Sequence, residues 1–211
     1  MRQLDLDTTS PIAFWNDLYK KSSTQTSGAP SRILAKYVTE RAPAQALDLG
    51  CAKGDDAVWL AKNGWQVLGV DISDTALRIA AENAARNGVA ERTTFRQIDL
   101  TEQFPEDQFD LVSALFLQTP FDFPRALVMR QAAAAVKPSG LLLMAIHQTY
   151  ASWSWKPAQG TETTANTLLQ EIGLDLAKWR KIYVGPFERR ATGPDGESET
   201  VKDAVIALER I

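Results

Sequence analysis

The stretch Ala46-Leu47-Asp48-Leu49-Gly50-Cys51-Ala52-Lys53-Gly54 decides the fold. Ala46–Leu49 reads as the end of a buried strand. Gly50 and Gly54 then turn the chain, and Ala57–Asn63 continues as a helix with Ala57, Trp59, Leu60 and Ala61 on its apolar surface. A strand, a glycine turn and a helix open a βα unit. Glycines at such a turn let backbone approach a ligand and adopt conformations that other residues resist.

Working outward, the same alternation recurs. Gly64 is a helix C-cap or turn, and Trp65–Val70 is a second strand ending at Asp71. Ser73 is placed to cap a helix over Asp74–Asn87, which Gly88 stops. Thr93–Gln97 is a third strand, followed by Asp99 and a polar link at Glu102–Asp107. Asp110–Ala114 is a fourth strand and Arg125–Val136 an alanine-rich helix. Pro138-Ser139-Gly140 turns that helix into strand Leu141–Ile146. His147–Gly160, with two Trp, a Tyr and the chain's one His, reads as a loop, and Thr164–Glu171 as a helix. Trp179–Arg190 and Val201–Glu209 form a terminal hairpin around the turn Gly193-Pro194-Asp195-Gly196. The expected fold is α/β: a Rossmann-like αβα sandwich on a mostly parallel seven-stranded sheet with a C-terminal antiparallel hairpin.

Length and composition agree with that reading. A chain of 211 residues with 45% hydrophobic and 23% charged residues predicts one domain, with no separate substrate domain. Within it, 1–40 is expected as a helical cover, 44–146 as a cofactor-binding core, and 147–211 as a substrate-side loop, helix and hairpin. A net charge of -3 gives no bulk attraction to nucleic acid. One Cys excludes a disulfide framework, and one His with one Cys excludes a clustered zinc site. No apolar run approaches the roughly 20 residues of a membrane span, and the N-terminus carries no signal peptide. The expectation is a cytoplasmic protein, monomeric or homodimeric, with no metal and no membrane partner.

The acids narrow the ligand. Asp71 and Asp99 follow consecutive crossover strands, and in an open α/β sheet such positions converge on one crevice. An acid after strand two suits the paired hydroxyls of a ribose. An acid after strand three suits the exocyclic amine of adenine. The dinucleotide fingerprint Gly-x-Gly-x-x-Gly is not met by Gly50, Ala52 and Gly54. A triphosphate loop fails as well, because Asp55-Asp56 follows Gly54 and acids at a helix start repel an added polyanion.

With these residues in place, the chain resembles the class I S-adenosylmethionine-dependent methyltransferases, among them small bacterial types such as the tellurite-resistance and thiopurine methyltransferases. The resemblance runs from Phe14-Trp15-Asn16-Asp17-Leu18-Tyr19 to the terminal hairpin. Asp48, Gly50, Ala52 and Gly54 match the family loop acid-x-Gly-x-Gly-x-Gly, with Ala52 as the departure. The resemblance implies that this loop, Cys51 included, lies under the methionine end of S-adenosyl-L-methionine. It implies that Asp71 holds the ribose with Ile72 beside the adenine, and that Asp99 holds the adenine amine with Leu100 beside it. Leu115-Phe116-Leu117-Gln118 would face the methyl group and acceptor. The implied reaction is methyl transfer to a small molecule by an S-, O- or N-nucleophile, leaving S-adenosyl-L-homocysteine.

Several residues carry two readings each. Trp15 and Tyr19, one helical turn apart, form either a lid over the cofactor or a hydrophobic staple. Arg32 either reaches the cofactor carboxylate or is an ordinary helix-start cation. Lys53 pairs with the cofactor carboxylate, or with Asp55 or solvent. Asp48 orients the glycine loop or reaches the cofactor amine. Asp56 is a helix N-terminal acid. Cys51 is a reactive thiol or filler. His147 is the candidate general base for an oxygen acceptor, or incidental. Tyr150, Trp153 and Trp155 line an acceptor pocket or cover the sheet edge. Two rival functions remain at this level: a cofactor-binding interaction protein without catalysis, and an NAD(P)-dependent oxidoreductase.

Overall fold

The computed structural model describes residues 10–24, 26, 28–154 and 163–211. Seven strands form one sheet: β1 (Gln45–Leu49), β2 (Gln66–Asp71), β3 (Thr93–Gln97), β4 (Phe109–Leu115), β5 (Val136–His147), β6 (Trp179–Thr192) and β7 (Ser198–Arg210). Their order is β3-β2-β1-β4-β5-β7-β6. Only β7 runs antiparallel to its neighbours. Among the described residues six α-helices accompany them: α1 (Pro11–Lys21), α2 (Arg32–Val38), α3 (Asp55–Lys62), α4 (Asp74–Arg86), α5 (Arg125–Ala134) and α6 (Ala165–Ile172). This is the expected Rossmann-like sandwich.

Alternation in the central strands builds two cores. Leu142, Met144 and Ile146 of β5 join Ala204, Ile206 and Leu208 of β7 in the core beneath α5 and α6. Leu141, Leu143 and Ala145 join Val205 and Ala207 in the core beneath α2 and α3. A strand buried on both faces needs apolar residues at nearly every position. Leu141, Leu142 and Leu143 are wholly buried, each contributing roughly 1.5–3 kcal/mol.

Helix ends follow the caps written in the chain. Ser73 Oγ accepts the Ala76 N–H at 3.1 Å, and Thr164 Oγ1 accepts the Thr167 N–H at 3.1 Å. Each supplies a partner for one of the open amides of a first turn. Gly54 precedes α3 at φ 80°, the left-handed region that glycine favours.

One boundary differs from expectation. The helix over 125–136 stops at Ala134, and Val136 is already paired with Phe109. Ladder pairing resumes at Leu141 opposite Leu111, so Lys137–Gly140 bulges out beside Asp110. Pro138 has no N–H for the ladder, and Ser139 sits at φ 64°. The turn is therefore inside β5 rather than ahead of it, pinned by Lys137 Nζ on Asp110 Oδ2 at 3.0 Å. The hairpin strands also run longer than expected, because β6 and β7 pair from Trp179–Arg210 to Thr192–Ser198, with one register shift between Lys181 and Tyr183.

The strand order reverses between β1 and β4, leaving a crevice at their C-terminal ends. Gly69, inside β2, sets the depth of packing beside it. A Cβ there would stand 2.8 Å from Phe95 Cδ1 and 2.9 Å from Cys51 Sγ. Overpacking of this kind costs about 1–3 kcal/mol. Gly69→Ala is therefore expected to lower unfolding stability by that amount in a urea titration, and an unmoved midpoint would contradict the packing described.

Candidate functional site

The glycine loop is tethered to the next strand before it meets any ligand. Gly50 N–H and Cys51 N–H both donate to Val70 O, at 2.8 and 3.0 Å. Asp71 then holds two backbones at once. Its Oδ2 accepts the Ala52 N–H at 3.0 Å, and its Oδ1 accepts the Ser73 N–H at 2.9 Å. Ala52 adopts φ 49°, a region costly without glycine, and the Asp71 bond holds it there. Asp71 is thus both a loop clamp and a cavity wall. A carboxylate offers about four acceptor positions, so acceptor capacity remains after the clamp.

Two cavities meet at the β1/β4 crevice. The first, of about 390 Å³, is walled by Trp15, Tyr19, Asp71, Ile72, Asp99 and Leu100. The second, of about 610 Å³, is walled by Arg32, Asp48, Cys51, His147, Arg189 and Asp203. Gly50, Ala52, Leu115 and Phe116 line both. Gly54 lines neither; it packs on α4, where a Cβ would lie 2.9 Å from Ala80 Cβ.

Helix α1 covers the first cavity. Its Asn16 Oδ1 accepts from Ser73 Oγ at 2.6 Å, so the cap of α4 also anchors the cover. Trp15 and Tyr19 face the cavity with ring centroids 6.1 Å apart. Burial, then the nearby Asp71 and Cys51, push the Tyr19 phenol above its ordinary range. Asp99 Oδ1 accepts both the N–H and the hydroxyl of Thr101, at 2.9 and 2.7 Å. Its other oxygen is left for the cavity.

Three charges take partners in the segment between α1 and α2. Lys53 Nζ donates to Ser23 O at 2.9 Å. Asp56 stands in the first turn of α3, as a helix N-terminal acid, and also accepts the Ser31 N–H at 2.6 Å, ahead of α2. Asp55 accepts the Gly28 N–H at 3.1 Å. The acidic pair therefore clamps the segment between α1 and α2. Burial raises Asp56 to about 6 against the pull of that amide.

Asp48 is 3% exposed and accepts from Ser113 Oγ at 2.9 Å. Burial, then Asp56, raise its pKa to about 7. Cys51 is buried, and desolvation with Asp48 and Asp71 beside it lifts its thiol well above the usual value. A reactive thiolate is disfavoured there, as the filler reading expects. Arg32 lies at the second cavity, away from Trp15 and Tyr19.

His147 stands at the end of β5, directly opposite Asp203 of β7. Its Nδ1 is 2.9 Å from Asp203 Oδ1, and Asp203 Oδ2 accepts from Arg189 Nε at 2.7 Å. Asp203 is wholly buried. Phe116, at φ 60°, stacks on the imidazole at 4.5 Å. Asp203 and Arg189 were not singled out from sequence. The available signal was an acid within the buried run Val201–Leu208, which demands a partner. Tyr150 and Trp153 line neither cavity, although Tyr150 meets the edge of His147 at 5.6 Å. Trp155 lies outside the described residues. Among the described residues no His, Cys, Asp or Glu cluster suits a metal, and no helix is long and apolar enough to cross a membrane.

Comparison with known proteins agrees with this geometry. Residues 46–140 match a family model described as a methyltransferase domain. Methyltransferase GfsG of Streptomyces halstedii is 29% identical over 167 residues, which cover 71% of this chain and 58% of that protein. The chain spans less than two thirds of the curated relatives it matches most strongly. TehB from Haemophilus influenzae superposes with a TM-score of 0.69 at 15% identity, over 93% of this chain and 67% of that one. The N-methyltransferase NodS from Bradyrhizobium japonicum, solved with S-adenosyl-L-homocysteine, superposes with a TM-score of 0.60 at 16% identity, over 85% and 84%. Residues 46–140 are therefore similar to a methyltransferase domain, and the sheet that contains them has the Rossmann-like order.

The raised pKa of Asp48 has a consequence for stability. An acid harder to ionise when folded favours the folded state below its unfolded pKa, and that gain is lost as pH rises through the folded one. For Asp48 the window runs from about 4 to about 7. At about 1.4 kcal/mol per unit, the loss is at most about 4 kcal/mol. Asp48→Asn is expected to flatten the decline in unfolding stability over this window. An equal slope in both proteins would contradict the burial of an ionisable Asp48.

Proposed function

We propose that this protein transfers a methyl group from S-adenosyl-L-methionine to a small-molecule acceptor. The observation that carries the reading is the pair of cavities sharing Gly50, Ala52, Leu115 and Phe116 at the β1/β4 switch point. One cavity has the two acids of a nucleoside site, and the other shares a wall with it. S-adenosyl-L-methionine supplies an electrophilic methyl on a sulfonium that leaves as a neutral thioether, so no acid is needed at the leaving group.

The residues present fit this group. Asp71 keeps acceptor capacity for ribose hydroxyls after clamping the loop. Ile72, Ile98 and Leu100 give the first cavity apolar walls for a purine, and the second oxygen of Asp99 accepts from an exocyclic amine. Trp15 and Tyr19 cover that cavity and exclude water. Asp48 and the glycine loop, which line the second cavity, suit the amino-acid end. Catalysis then comes largely from orientation and from desolvation under the α1 cover. The methyltransferase-domain match supports methyl transfer, and a second cavity of about 610 Å³ has room for a small acceptor.

Calorimetry tests the reading. S-adenosyl-L-methionine and S-adenosyl-L-homocysteine are expected to bind, and absence of binding at millimolar ligand would refute it. Asp71→Ala is expected to weaken both by about 1–3 kcal/mol, the value of a charged hydrogen bond. Thermal unfolding of the variant separates loss of the clamp from loss of the ligand contact.

A further inference from the structure

We infer that the second cavity receives an acceptor hydroxyl, and that Asp203 is the positioning residue that readies His147 to take its proton. This rests on the methyl-transfer reading above.

The argument starts from the strand register. His147 and Asp203 are directly paired across β5 and β7, so their side chains project to the same face. Asp203 Oδ1 lies 2.9 Å from His147 Nδ1, while Oδ2 takes the Arg189 Nε–H at 2.7 Å. Paired with a guanidinium, the carboxylate is an acceptor only. The proton in the short contact therefore belongs to Nδ1. A neutral imidazole carries one N–H, so Nε2 is left with its lone pair. Arg189 Nη2, 3.4 Å from Nδ1, then faces a donor and adds no bond; its role is the countercharge to Asp203.

The ring is held on its other sides too. Phe116 covers one face at 4.5 Å and 25°. Gln118 Oε1 accepts the His147 backbone N–H at 3.3 Å. Phe116 lines both cavities, so the imidazole stacks on the residue that separates them.

This arrangement selects an acceptor class. A thiolate or a neutral amine attacks without a base. A hydroxyl keeps its proton at neutral pH and gains from an oriented base. The acceptor O–H proton passes to His147 Nε2 and later to solvent. The oxygen electron pair forms the new O–C bond to the methyl group, and the C–S bonding pair stays with sulfur. The products are a methyl ether and a neutral thioether.

The chain's only histidine makes the test direct. In protein labelled with ¹⁵N-histidine, one pair of imidazole nitrogen signals reports the tautomer. The expected neutral form is Nδ1–H, and Asp203→Asn is expected to shift the population toward Nε2–H with the amide spectrum otherwise retained. A wild-type imidazole in the Nε2–H form would overturn the proposal, whatever the variant does. With saturating S-adenosyl-L-homocysteine, phenol is expected to shift the Nε2 signal and anisole, which lacks the O–H, to leave it in place. A shift with both or with neither would overturn the hydroxyl class. Failure of S-adenosyl-L-homocysteine to bind, with the Nδ1–H tautomer present, would instead refute the methyl-transfer reading.

Discussion

The carboxylate of Asp71 is the contact on which the rest of the site depends. It binds Ala52 N–H on one side and Ser73 N–H on the other. The first bond holds a non-glycine residue at positive φ and fixes the floor shared by both cavities. The second sets the start of α4, whose cap Ser73 in turn anchors the α1 cover through Asn16. One buried acid thus couples the loop, the helix and the lid. Its desolvation raises its pKa, and the amides it accepts offset part of that cost.

The second cavity depends on the opposite end of the chain. β7 is the one antiparallel strand, and it lies between β5 and β6. That placement sets Asp203 opposite His147 and brings Arg189 of β6 to its other oxygen. The closing hairpin therefore does more than cover the sheet edge. It supplies the polar groups of the chamber that the parallel core leaves open. The acids Asp55 and Asp56 close the near side by holding Gly28 and Ser31, so cover and chamber share the linker between α1 and α2.

Much of this was legible in the chain, for local reasons. The glycine loop, Asp71 and Asp99 follow strands whose ends converge at a switch point, so order along the chain translates into position. Caps such as Ser73 and Thr164 act within one turn and are equally readable. What escaped depends on distant pairing. Asp203 acquires meaning only from the β5–β7 register, which no local pattern specifies. Lys53 reaches Ser23, 30 positions away, and Asp56 accepts the Ser31 N–H, 25 positions back. The bulge at Lys137–Gly140 was seen as a turn, but its place inside the ladder depends on Val136 meeting Phe109. Alanine-rich helix and buried strand look alike at such a junction.

The central claim is that one ligand lies across the two cavities, nucleoside in the first and reactive end at their shared wall. A crystal structure with S-adenosyl-L-homocysteine tests it most directly. The account predicts adenine between Ile72 and Leu100, ribose hydroxyls on Asp71, and sulfur beside Gly50 and Phe116, facing the chamber of His147. Adenine in the second cavity, or a ribose that makes no contact with Asp71, would contradict it.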